Sequence, residues 1–121
     1  MIEPASGTGQ LVEPAAWLSL PEVADKLGLT LNQVRQLVRD RALLAVRRDG
    51  TPQVPGELVS TATVRKHLPG VLTLLHDAGY NEEEALRWLY TADGSLPGTP
   101  AEALSGDKAT EVKRRAQALG F

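Results

Sequence analysis

The stretch LSLPEVADKLGLTLNQVRQLVRDRALLAVRRDG, Leu18–Gly50, holds two short apolar-periodic segments around one glycine, five arginines and a closing turn signal. Over Leu20–Leu27 the residues Val23, Ala24 and Leu27 return at helical spacing, and Pro21 suits a first-turn position. Gly28 is expected to end that helix in a left-handed cap. Thr30 can then cap a second helix whose inner face is Leu31, Val34, Leu37 and Val38. A small residue at Ala24 and a glycine at Gly28 let two helices cross closely, and Val23, Leu27, Leu29, Val34 and Leu37 lock the crossing. This is the residue pattern of a helix-turn-helix.

Winding the second helix at about 100 degrees per residue puts Val34, Leu37 and Val38 on one side. Asn32, Arg35, Gln36 and Arg39 fall opposite, and none of them is acidic. Asn and Gln can pair with adenine, and Arg with guanine, in a major groove. The recognition helix is expected over residues 31–41, with Thr30 and Gln33 at its start joining the DNA-facing set. The period then changes. Leu44 and Val46 alternate toward one face, and Asp49-Gly50 predicts a tight hairpin. Pro52 and Pro55 are expected to confine the return strand to an edge. The wing spans residues 43–55, and Arg47 and Arg48 beside its turn are expected to reach backbone or minor groove. Arg65 and Lys66 are weaker phosphate candidates.

The flanks are simpler. Residues 1–16 hold little apolar material and are expected to form a disordered arm, with Ser6 and Thr8 as its accessible hydroxyls. Ser60 or Thr61 opens a helix expected to stop at Pro69-Gly70. A further helix follows over Val71–Ala78, ended by Gly79. Asn81 with Glu84 forms a capping box for the next, and Thr99, Pro100 and Glu102 open a short one. Asp107 is expected to cap a last helix ending at Gly120. The chain thus divides into an arm (1–16), a winged helix-turn-helix (17–68) and a helical domain (69–121). With only a Pro-Gly break between them, the two folded parts should share one core. The fold class is mainly α with a small β-hairpin wing.

Composition narrows the chemistry. The 121 residues contain no cysteine, so disulfides and thiolate metal sites are excluded. His67 and His76 stand nine residues apart without a ligand pattern around them. No catalytic constellation, cofactor motif or metal site is found, and an enzyme is not expected. No apolar run approaches membrane-spanning length, so a cytoplasmic, nucleoid-associated protein is expected. The formal charge of -2 conceals an asymmetry. Residues 17–68 carry eight basic and five acidic side chains, residues 69–121 five basic and eight acidic.

The segment SLPEVADKLGLTLNQVRQLVRDRALLAV resembles the winged helix-turn-helix of MerR and excisionase proteins. Together with LLAVRRDG, LPGVLTLLHDAGYNEEEALRWLYTADGSL and PAEALSGDKATEVKRRAQAL, it resembles a family of small actinobacterial winged-helix proteins with an appended helical domain. That resemblance implies double-stranded DNA binding and regulation without catalysis. RWLYTADGSLPGTPAEALSGDKATEVKRRAQAL is also similar to the toxin-binding region of Xre-type antitoxins, which implies a protein partner for the helical domain. The leading expectation is a DNA-binding transcriptional regulator, monomeric or weakly dimeric. The alternatives are an antitoxin-like interaction module whose DNA binding serves autoregulation, and an architectural protein that bends DNA.

Overall fold

The computed structural model describes residues 11–94, 96 and 98–120. Residues 1–10 of the expected arm, with Ser6 and Thr8, lie outside the described residues.

Strand β1 (Trp17–Ser19) leads directly into helix α1 (Leu20–Leu27), and the junction is a capping box. Ser19 Oγ accepts the Glu22 N–H at 3.2 Å, and Glu22 Oε1 accepts the Ser19 N–H at 2.7 Å. Those bonds to Ser19 hold the Glu22 carboxyl below its ordinary pKa. Gly28 ends α1 at φ 68, a conformation that costs glycine no Cβ clash. Thr30 and Gln33 form the same reciprocal box at the start of α2 (Leu31–Arg39). Helix α2 stops two residues before the expected end. Asp40 is its cap, and Arg41 turns to φ 57.

The hairpin β2 (Val46–Arg48) and β3 (Thr51–Pro55) turns at Asp49 and Gly50, with φ 53 and 81. Two consecutive positive φ values match the twist of a two-residue hairpin. Instead of lying at an edge, β3 is the middle strand of a sheet ordered β1-β3-β2. The registers explain how it tolerates two prolines. Strand β1 pairs with residues 53–55 and β2 with residues 51–53, so only Gln53 has partners on both sides. Pro52 and Pro55 each sit where one side is open, and a missing N–H costs no ladder bond there.

A 3-10 turn (Gly56–Val59) leads to α3 (Ala62–Asp77), capped by Thr61. Helix α3 runs without interruption through Pro69-Gly70, so the expected break is absent and the division after Leu68 falls inside a helix. Val64 and Leu68 before the proline, and Val71, Leu72 and Leu75 after it, are all buried. Burial of one continuous apolar stripe outweighs the ~3 kcal/mol that an interior proline costs. Helices α4 (Glu82–Leu89) and α5 (Pro100–Ala103) begin with the expected boxes at Asn81/Glu84 and Thr99/Glu102. The final helix, α6 (Ala109–Ala118), has Lys108 as its cap residue with no side-chain bond, so Asp107 does not cap it.

One core joins the two parts, as expected. Val23, Val34 and Val54 belong to the same buried cluster as Leu75, Leu89, Leu104 and Val112. Helix α3 is its axis and packs along α6. Residues 11–16, expected as arm, are instead fastened to this body. Val12 N–H donates to Tyr90 O, Ala15 N–H to Glu57 Oε2, and Gly56 N–H to Ala16 O. The Tyr90 hydroxyl donates to the other Glu57 oxygen at 2.8 Å. Burial, and then that carboxylate, push the Tyr90 phenol well above its ordinary range. No helix among the described residues is long and apolar enough to cross a membrane.

Candidate nucleic-acid interface

Helix α2 buries Val34 completely and half-buries Leu31, Leu37 and Val38, leaving the opposite face to solvent. Asn32, Arg35, Gln36 and Arg39 are all exposed there, one patch over two turns. They differ in freedom. Gln36 donates from Nε2 to Asp40 Oδ1 at 2.9 Å and accepts from Arg39 at 2.7 Å. That chain settles the second turn. The Arg35 side chain forms no hydrogen bond or ion pair among the described residues, and neither does that of Asn32. Thr30 and Gln33 are exposed but occupied, since their oxygens close the capping box. Gln33 keeps its amide N–H donors for an outside partner. The first turn of α2 contains no acid, so its positive end is not neutralised from within.

The two wing arginines take opposite faces, because strand side chains alternate. Arg47 is exposed, and its guanidinium donates to Gly50 O at 2.7 Å across the turn. Arg48 shares the inner side with buried Val46. Its guanidinium carbon lies 4.3 Å from the centre of the Trp17 ring, and its Nε is buried without a partner. Such a contact fixes the cation over the ring. The structure therefore does not bring Arg47 and Arg48 to one surface, and strand β1, which supplies Trp17, carries no sequence signal beyond an isolated tryptophan.

Arg41 is a cation that sequence periodicity missed. Its positive φ turns it from the helix axis toward a groove of about 510 Å³, which Val38, Arg41, Arg47, Pro52, Leu72 and His76 help to line. The expected helix runs to residue 41, so the place of Arg41 beyond the helix end is not legible in the spacing. Ion pairing separates the two halves. Among the described residues, Arg114–Glu111, Arg115–Asp93 and Arg115–Glu111 are the pairs found, all in the carboxy-terminal half. No group of three or more potential metal ligands exists among the described residues.

Two family models cover this architecture. The one described as DNA-binding protein Rv2175c, wHTH domain, matches residues 8–59. The one described as Rv2175c C-terminal domain of unknown function matches residues 65–120. A curated relative, DNA-binding protein Rv2175c of Mycobacterium tuberculosis (strain ATCC 25618 / H37Rv), is 42% identical over 115 residues, covering 84% of this chain and 79% of that protein. The chain belongs to the Rv2175c family. The NMR structure of Rv2175c superposes with a TM-score of 0.78 at 34% identity and covers 100% of both chains. Within the Rv2175c family, then, the helix-turn-helix of α1 and α2, the sheet and the helical half form the shared architecture. The two family models meet between residues 59 and 65, ahead of the expected division at Leu68.

Proposed function

We propose that this chain is a double-stranded DNA-binding regulator that lays α2 in the major groove and sets the wing against the adjoining backbone. One observation carries it: Asn32 and Arg35 stand exposed and unpartnered on the leading turns of α2, the part of a recognition helix that meets base edges. The α2 start free of acids and the exposed Arg47 add phosphate contacts beside them. The match of residues 8–59 to a model described as a DNA-binding wHTH domain supports DNA binding by this half. No catalytic step belongs to this function, and it places the protein on the nucleoid in the cytoplasm.

Fluorescence anisotropy on a duplex selected from genomic fragments tests it. With Arg35, Arg39 and Arg47 each neutralising one phosphate, log affinity falls against log salt with a slope near about -3. Arg48, held on Trp17, is not counted. Binding independent of salt, or undiminished by Arg35→Ala, overturns the assignment.

The second reading, an antitoxin-like interaction module, has one feature in its favour. Trp88 is only half-buried and faces two grooves, the second lined also by Pro100, Ala118 and Leu119. Sedimentation of the pure chain that gives a monomer up to high concentration favours a protein partner over self-association for that face.

A further inference from the structure

The run Lys113-Arg114-Arg115 divides by partner. Arg114 is held by Glu111 at 3.1 Å, and Arg115 by Asp93 at 3.2 Å. Lys113 has no hydrogen bond or ion pair among the described residues, and it is partly buried. It lies across α3 at Gly70, where an added Cβ would stand 3.4 Å from Lys113 Cε and 3.8 Å from Nζ. Those are ordinary contact distances, so the lysine stem packs directly on the α3 backbone at Gly70.

Helix geometry brings two further groups to the same place. Lys66 and His67 precede Gly70 by four and three residues, so both lie one turn from the position that Lys113 crosses. Lys66 is exposed and forms no ion pair among the described residues. His67 Nδ1 is buried with no hydrogen-bond partner. Burial lowers the imidazole pKa, and the Lys113 and then the Lys66 ammonium lower it further, so both cations act on the ring. The Lys113 stem thus reaches α3 at Gly70, with Lys66 and the unsatisfied His67 ring one turn earlier on that helix, while the Glu111 carboxylate on α6 is already engaged by two arginines.

We propose that the α3–α6 seam at Gly70 is an oxyanion site of the phosphate class, held by Lys66, His67 and Lys113. A phosphate group matches because it offers several acceptor oxygens and up to two negative charges to two ammoniums and one ring donor. The site uses no residue of α2 or the wing. Its phosphate comes either from a small phosphorylated molecule or from the backbone of a nucleic acid.

Titration of the full-length chain with inorganic phosphate in chloride buffer, followed at the His67 imidazole by NMR, tests the site. Saturation by phosphate but not by added chloride is expected, with the His67 pKa rising when the anion offsets the two ammoniums. Lys66→Gln and Lys113→Gln each weaken binding about tenfold, the loss of one charge-assisted contact, and Lys113→Arg retains it. An absent response at His67, or one equal in parent and both Gln variants, overturns the proposal. In a second arm, the salt slope of DNA affinity is compared between the parent and Lys66→Gln. A slope shallower by about 1 identifies a DNA phosphate as the occupant, and an unchanged slope a small phosphorylated molecule. The first arm stands even if the α2 face binds no DNA.

Discussion

In the carboxy-terminal half, α4 opens with Glu82, Glu83 and Glu84, and Arg114 and Arg115 are held by Glu111 and Asp93. In the amino-terminal half, α2 opens with no acid, and no ion pair forms among the described residues of its surface. Both halves contain arginine runs, so the difference lies in where carboxylates stand relative to them. A cation already paired has a smaller field to offer an incoming phosphate and must lose a partner to bind it. Arg35 carries no such cost, and Arg39 and Arg47 are held only by neutral oxygens of Gln36 and Gly50, with no carboxylate to displace. The pairing, more than the count of basic residues, is what favours the proposed α2 face for a polyanion.

The two halves nevertheless share a core, and the largest predicted effect comes from breaking it. Leu58, Val59, Val64 and Leu68 are fully buried in a cluster completed by Leu75, Leu89, Leu104 and Val112. A chain ending at Leu68 exposes all of that surface and cuts α3 near its middle. The loss exceeds the roughly 5–15 kcal/mol by which a domain is stable, so the truncated chain should lack a cooperative thermal transition. If it melts as the full chain does, the halves are independent and their contrast is one of two tethered domains. A milder version is Leu75→Ala, which should cost about 2–5 kcal/mol and destabilise both halves in one transition.

Next in size is Arg35→Ala. Arg35 is the exposed, unpartnered arginine of the recognition face, so its removal should weaken DNA binding by about 1–3 kcal/mol and relax discrimination at one base pair. Thermal stability should be unchanged, because its side chain touches no partner among the described residues. A variant that loses stability and keeps affinity would mean that the free cations serve the fold.

How far this contrast is visible in the sequence depends on the range of the interactions. The caps at Thr30, Asn81 and Thr99 and the turn at Asp49-Gly50 are local, and they stand where spacing places them. Pro69 misleads because a local rule meets a long apolar stripe whose value is tertiary. The central position of β3 is hidden for a similar reason. Trp17, the start of its second neighbour, lies more than thirty residues away, and the staggered registers that excuse Pro52 and Pro55 appear only once three strands assemble. The adjacent arginines at 47 and 48 look equivalent until strand alternation and the same distant Trp17 separate them.

That separation gives a third, smaller prediction. Arg47→Ala should make the salt slope of DNA binding shallower by about 1 and weaken all sequences alike, since its contact is to backbone. Arg48→Ala should leave the slope near the parent's and instead lower stability by about 0.5–2 kcal/mol, the range of a cation held on an aromatic face. Parallel chemical denaturation and anisotropy on both variants distinguish them. Equal slope changes would mean that Arg48 leaves Trp17 when DNA arrives, and the division between free and engaged cations would then shift by one residue.

The smallest effect belongs to the paired half and is the most direct check on the comparison. Arg114 is highly exposed, with a relative side-chain accessibility of 70%, and its bond to Glu111 joins residues three apart on one helix. Such a pair contributes about 0.2–0.5 kcal/mol, and salt screens it. Arg114→Ala should therefore change the unfolding midpoint barely beyond error and leave DNA affinity and its salt slope as in the parent. Glu111→Gln sharpens the result, because it releases Arg114 and one of the two Arg115 contacts without removing a cation. If pairing is what silences this half, Glu111→Gln should raise non-specific DNA affinity slightly at low salt while Arg114→Ala lowers nothing. A large loss of binding in Arg114→Ala would instead place a DNA contact on α6, and the contrast between the halves would fail at its most heavily paired point.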